Sequence, residues 1–204
     1  MRYRTVRTAW LIVIVASVCG AAHAQQTAAL PADKLEKIET AISAQMSKLG
    51  IPGLSVAVVV DHKMRWSAGY GLADVENYVP AKAMTAYRLG SISKPITAAA
   101  VMELAERGKL DLDAPIQKYC AAFPAKQWPV TARLLLGHLS GVRHYSGEAE
   151  FASTRHYNNV VEGLDMFKND PLLFEPGTKY SYTTHGFAVL GCAVEGASGM
   201  SFSD

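Results

Sequence analysis

Cysteine, long apolar runs and runs of one charge sign are all scarce in this 204-residue sequence, and each scarcity removes a class of protein. Three cysteines are too few for a disulfide scaffold. Cys120 and Cys192 could form one bridge or remain as two buried thiols, and the sequence leaves both open. Beyond the first 24 residues no segment approaches the roughly 18 apolar residues of a membrane-spanning helix. No basic block is present that would suit nucleic acid or an anionic membrane surface. Metal-ligand spacings are missing too: His138 and His144 stand six apart with no His-x-His or His-Glu-x-x-His, so no metal or cofactor is expected. Neither a Gly-x-Ser-x-Gly elbow nor a phosphate-cradling glycine loop occurs, which argues against an α/β-hydrolase and a nucleotide enzyme.

What is present begins with a leader. Arg2, Arg4 and Arg7 precede an apolar run, Ala9 to Ala16, and Ala22-His23-Ala24 offers a small-x-small cleavage site before Gln25. Bulky Val18 ahead of Cys19 disfavours a lipoprotein. Residues 1–24 therefore read as a signal peptide, 25–31 as a polar lead-in, and 32–204 as one folded domain that is periplasmic or secreted. Without the leader, 17 basic residues face 18 acidic ones, a net charge of −1, so the positive charge of the full sequence, +2, comes from the leader.

Along the rest, Leu35, Ile38, Ile42, Met46 and Leu49 recur at helical steps and Gly50 supplies a stop. Leu54 to Val60 and Met64 to Tyr70 read as a hairpin around Asp61-His62-Lys63. A strand-like approach, Tyr87 to Gly90, leads to a helix reaching about Arg107, with an apolar face through Ile92, Ile96, Ala99, Val101, Met102 and Leu104. Short helices are expected over Thr131 to Leu139, Val160 to Asn169 and Phe187 to Ala197. A hairpin followed mostly by helices is an α+β pattern, and two strands are too few to stand without partners. Asp111 and Asp113 suit turn and capping roles.

Ser91-Ile92-Ser93-Lys94 is the most chemical stretch. A serine at a helix start with a lysine three residues on sets hydroxyl and amine on one face, one turn apart. The hydroxyl needs a proton acceptor to become a nucleophile, and the helix start favours developing negative charge. Ser-x-x-Lys occurs by chance too often to carry weight alone.

Three further motifs follow it in order: Gly108-Lys109-Leu110-Asp111-Leu112-Asp113-Ala114-Pro115, Leu136-Gly137-His138-Leu139-Ser140-Gly141 and Pro176-Gly177-Thr178-Lys179-Tyr180-Ser181-Tyr182. With Arg88 to Pro95 they make the sequence, from about Ala32 to its end, resemble the serine β-lactamase-like family of class C β-lactamases, DD-peptidases and esterases. Arg143-His144-Tyr145 and Leu164 to Pro171 are most similar to the branch of mitochondrial serine β-lactamase-like proteins and bacterial relatives. The resemblance implies a β-lactamase/transpeptidase-like fold, an antiparallel sheet flanked by helices beside a mostly helical region.

It also implies roles. Ser91 would be the acylated nucleophile, Lys94 would share in its deprotonation, Tyr182 would be the general base, and the Ser91 N–H would be an oxyanion donor. Thr184 stands where the family carries the asparagine of Tyr-x-Asn, and it offers a hydroxyl in place of an amide. That moves the expectation from β-lactams toward peptides or esters. Thr184 and His185 are candidates for contact with substrate, although His185 also reads as a surface histidine. The Lys-Thr-Gly or His-x-Gly triplet of the family is absent, so the sequence is expected to be partial, with C-terminal sheet strands missing. The expectation is an exported serine hydrolase taking a small-molecule or peptide substrate. The alternatives are a β-lactamase or DD-peptidase, and a catalytically silent or self-assembling scaffold of the same fold.

Overall fold

The computed structural model describes residues 30–204; the leader, its cleavage site after Ala24 and nearly all of the polar lead-in lie outside the described residues. The chain divides into two compact units, one ending at Tyr87 and the other spanning Arg88–Asp204.

The first unit opens with α1, Ala32–Leu49, the span its periodicity predicts. Gly50 closes it in the left-handed conformation (φ 63°), donating its N–H to the Met46 carbonyl. An antiparallel hairpin follows, β1 over Gly53–Val60 and β2 over Lys63–Asp74. Its turn residues Asp61 and His62 both have positive φ, as the tight turns that match strand twist require. A third strand, β3, Val79–Pro80, pairs with the far end of β2, giving the order β1-β2-β3. The hairpin reading lacks it because two residues carry no periodicity and Pro80 cannot donate to a ladder. At an edge that loss costs little.

The second unit is helical around one hydrophobic core. Tyr87 to Gly90 is not a strand: a 3-10 turn, Gly90–Ile92, runs into α2, Ser93–Glu106. Then come α3 (Ala132–Leu136), α4 (Glu148–Phe151), α5 (Val160–Leu164) and α6 (His185–Ser198). The short helices start at polar caps. Thr131 Oγ1 accepts the Leu134 N–H and Asn159 Oδ1 accepts the Glu162 N–H. α6 packs against α2, α3 and α5, and Val101, Leu104, Leu135, Leu164, Val189 and Leu190 are buried together.

The apolar positions of α2 divide unequally. Val101 and Leu104 are buried, whereas Ile92, Ile96 and Met102 are at least half exposed, so the helix is apolar on two sides. Asp111 Oδ1 accepts the Asp113 N–H, and the Asp113 carboxylate holds Arg133, the turn role the sequence suggests. A disulfide joins Cys120 to Cys192 and resolves the alternative the sequence left open. One turn further along α6, a Cβ on Gly196 would stand 1.8 Å from the Tyr119 carbonyl oxygen. Only glycine lets the Tyr119-Cys120 backbone come that close.

Candidate active site

Ser91 lies in the 3-10 turn, Lys94 in the first turn of α2, and Tyr182 and Thr184 in the segment that enters α6. Packing of α2 on α6 brings the two segments together across about ninety residues of sequence. The Ser91 and Tyr182 hydroxyl oxygens are 2.8 Å apart, and either can donate. Lys94 Nζ donates to Ser91 Oγ at 3.3 Å and to Thr184 Oγ1 at 3.1 Å, and lies 4.9 Å from the Tyr182 ring centroid. Lys94 is buried, while Ser91 and Tyr182 face the surface. The Lys94 ammonium first, then the Ser91 hydroxyl, hold the Tyr182 phenol below its ordinary value; desolvation opposes them.

These contacts set a hydroxyl beside a phenol, with a buried cation that favours the ionised form of the phenol. Thr184 fills its place by accepting from Lys94, which leaves one O–H to donate. A cavity of about 350 Å³ reaches Lys94 and Thr184 from one side, with Phe187 and Phe202 among its apolar walls. Ser91 and Tyr182 are not part of that wall; they open to solvent. Among the described residues no group of three or more His, Cys, Asp or Glu could hold a metal, and no helix is long and apolar enough to cross a membrane.

His185 is not where the sequence puts it. It is neither at the surface nor in the cavity wall, but buried, with its ring stacked on Phe167 at 4.2 Å. Neither ring nitrogen has a hydrogen-bond partner of acceptable geometry. Helical phase decides this: residue 185 starts α6 on its core-facing side, next to buried Gly186 and one turn before Val189. Burial, with the Arg143 charge behind it, lowers His185 to about 4.

A histidine kept neutral in the fold stabilises it fully above its unfolded pKa of about 6.5, and that stability is lost as pH falls from there toward 4. The loss from this group is about 2 kcal/mol between pH 7 and pH 5. His185→Phe keeps the stack and removes two orphan polar atoms. It is expected to raise stability at pH 5 by about that amount and to flatten the pH slope, read from urea denaturation at both pH values. An unchanged slope would show that His185 does not titrate with unfolding.

Sequence reasoning passes over an arginine hub and two histidines. Arg143 uses its whole guanidinium: Nε meets Asp170 at 2.5 Å, Nη1 meets Glu150 at 2.8 Å, and Nη2 meets Glu150 and the Met166 carbonyl at 3.0 Å. Nη1 also reaches the His144 carbonyl at 2.9 Å. Arg143 and the Ser146 N–H together bring Glu150 down to about 2. His138 and His144, spaced wrongly for zinc, lie instead against Tyr182, with ring centroids 4.5 Å and 5.5 Å from it. No periodicity signals this, because the contact crosses from the 138–144 loop to the entry of α6.

A family profile described as Beta-lactamase matches residues 38–204. The chain belongs to the beta-lactamase family. It is 35% identical over 225 aligned positions to the mitochondrial serine beta-lactamase-like protein LACTB of Homo sapiens, covering 77% of this chain and 41% of that protein. The chain thus spans well under half the length of that relative. Among solved structures it is similar to the octameric penicillin-binding protein homologue from Pyrococcus abyssi, with 29% identity and a TM-score of 0.69 over 82% of this chain and 40% of the other. It is also similar to EstCE1, a hydrolase with promiscuous acyltransferase activity, with 28% identity and a TM-score of 0.68 over 83% and 49%. These likenesses put the chain in the β-lactamase-like serine hydrolase superfamily, with the β-lactamase/transpeptidase-like fold.

Proposed function

We propose that this chain is an exported serine hydrolase that opens amides or esters through an acyl-enzyme on Ser91. The observation that carries the reading is the 2.8 Å contact between Ser91 Oγ and Tyr182 OH, with Lys94 beside both. The Tyr182 phenolate takes the Ser91 proton as Oγ bonds to the substrate carbonyl carbon. The Ser91 N–H is assigned to the developing oxyanion. The tetrahedral adduct then collapses, the bond from carbonyl carbon to leaving nitrogen or oxygen breaks, and Tyr182 returns its proton to the leaving atom. Water then attacks the ester carbonyl, losing a proton to Tyr182; as the bond from carbonyl carbon to Ser91 Oγ breaks, Tyr182 returns that proton to Oγ and the acid leaves.

Thr184 supports peptides or esters as substrates over β-lactams. With its oxygen accepting from Lys94, it has one donor to offer where an asparagine amide would offer a donor and an acceptor. Export rests on the basic and apolar leader of residues 1–24.

The test is covalent. The chain from Gln25 is incubated with a fluorophosphonate at about pH 8, its intact mass is measured, and the adduct is mapped by peptide digestion. One adduct, on Ser91, is expected. A folded chain that stays unlabelled, or is labelled elsewhere, overturns the reading.

A further inference from the structure

Tyr182 sits between two tied amides. The Ser181 N–H donates to the His138 carbonyl at 2.9 Å, and the Thr183 N–H donates to Nδ1 of the same residue at 3.1 Å. The Thr184 N–H donates to Nδ1 of His144 at 3.2 Å. Thr183 Oγ1 adds a bond to the Arg143 carbonyl at 2.7 Å and accepts the Gly186 N–H at 3.1 Å. Three of the four residues 181–184 are therefore fastened to the 138–144 loop, two of them through imidazole nitrogens.

Both ring nitrogens accept, so neither Nδ1 carries a proton, and each ring is the tautomer protonated on Nε2. An imidazolium in either place would turn an N–H against an N–H. His138 also holds a left-handed backbone conformation (φ 56°), which is uncommon outside glycine and persists where surroundings over-determine it.

We propose that His138 and His144 are positioning residues, a pair of neutral imidazoles whose bare Nδ1 atoms hold the backbone of residues 183 and 184. Tyr182 is thereby kept on Ser91 and Thr184 on Lys94. The consequence for catalysis rests on the hydrolase reading above; the clamp itself does not.

The groups facing the two rings favour the neutral forms. His138 meets Lys94 from α2, His144 from its own loop, and the Tyr180 and Tyr182 rings. His144 meets Lys94, the Tyr145 and Tyr182 rings, and His185 from α6. The Arg143 guanidinium is consumed by Glu150, Asp170 and two carbonyls. Among the described residues no carboxylate pairs with either ring. Burial first, then Lys94, pushes both histidines below the ordinary value, and His144 adds to the effect on His138. The clamp is whole at neutral pH and opens as acid charges the rings.

Two readouts test it. Heteronuclear NMR of the imidazole nitrogens at about pH 7.5 is expected to find both Nδ1 atoms unprotonated, and the Thr183 and Thr184 amide signals are expected to titrate with the rings. The second readout is the pH profile of fluorophosphonate labelling. Asparagine suits a left-handed backbone and can offer Oδ1 near the place of Nδ1, so His138→Asn is expected to label within about threefold of wild type at neutral pH, with the His138 part of the acid limb removed. His138→Leu keeps bulk and loses the acceptor, and it is expected to label about 10²-fold more slowly, the scale of a misplaced catalytic group.

A proton on Nδ1 of either ring at pH 7.5 would overturn the clamp, and so would wild-type labelling by a folded His138→Leu. If the wild type takes no label while rings and amides titrate together, the hydrolase reading fails and the clamp stands. If Ser91 is labelled but the amides ignore the rings, the reverse holds.

Discussion

Ser91→Ala is expected to remove covalent labelling and reduce any hydrolysis by on the order of 10⁶-fold, the scale for loss of a serine nucleophile. The proposed route has no second acceptor for the acyl group: Lys94 is buried behind Ser91, and Tyr182 is the base. Stability should move by less than about 0.5 kcal/mol, because Ser91 is exposed, its bond to Tyr182 is open to water, and Lys94 keeps Thr184 as an acceptor.

Tyr182→Phe grades the same mechanism. It removes one oxygen and keeps the ring against His138 and His144, and it should slow acylation by about 10²–10⁴-fold. The residual rate should also lose its dependence on the phenol. In the wild type, acylation rises with pH through a phenol value lowered chiefly by Lys94. Stopped-flow labelling across pH measures both effects. Full activity in Ser91→Ala would remove it from the mechanism, and a Tyr182→Phe rate within twofold of wild type would mean that another group takes the proton.

Replacing Cys120 and Cys192 together by alanine is expected to cost about 4 kcal/mol of unfolding free energy, from the chain entropy released when a loop of this length is opened. The bridge spans 72 positions. It also ties the middle of α6 to the Tyr119-Cys120 segment, at the place where Gly196 admits the Tyr119 carbonyl. Because α6 carries Thr184 as its cap, loosening it should disturb the site as well as stability. Urea denaturation of the oxidised, reduced and alanine forms tests this. Equal midpoints in all three would mean that the bridge does not restrain the unfolded chain.

Local pattern was enough for elements whose stabilising contacts lie within a turn or two. α1 and its Gly50 stop, and the hairpin, follow from periodicity and glycine conformation. β3 and α4 escaped because two and four residues give no period to read. The expected helix over Val160 to Asn169 stops at Leu164, where Asp165, Phe167 and Lys168 turn into a compact loop.

The candidate site was legible only in part, and for a definite reason. Ser91 and Lys94 are linked by helical geometry alone, so their relation can be read from a spacing of three. Tyr182 and Thr184 were reached through motif resemblance, since nothing local ties residue 182 to residue 91.

The amino-acid sequence by itself determined the chemical types: a hydroxyl and an amine one turn apart, a tyrosine in an ordered motif, no metal-ligand spacing and two cysteines that could pair. Tertiary structure alone decided which of these meet. Packing of α2 on α6 set the 2.8 Å contact between Ser91 and Tyr182, while other long-range contacts buried His185 against Phe167, paired the cysteines, and placed His138 and His144 as acceptors for the amides of 183 and 184. Hydrogen bonds and close packing act over a few ångströms, and only the folded chain brings distant residues within that range.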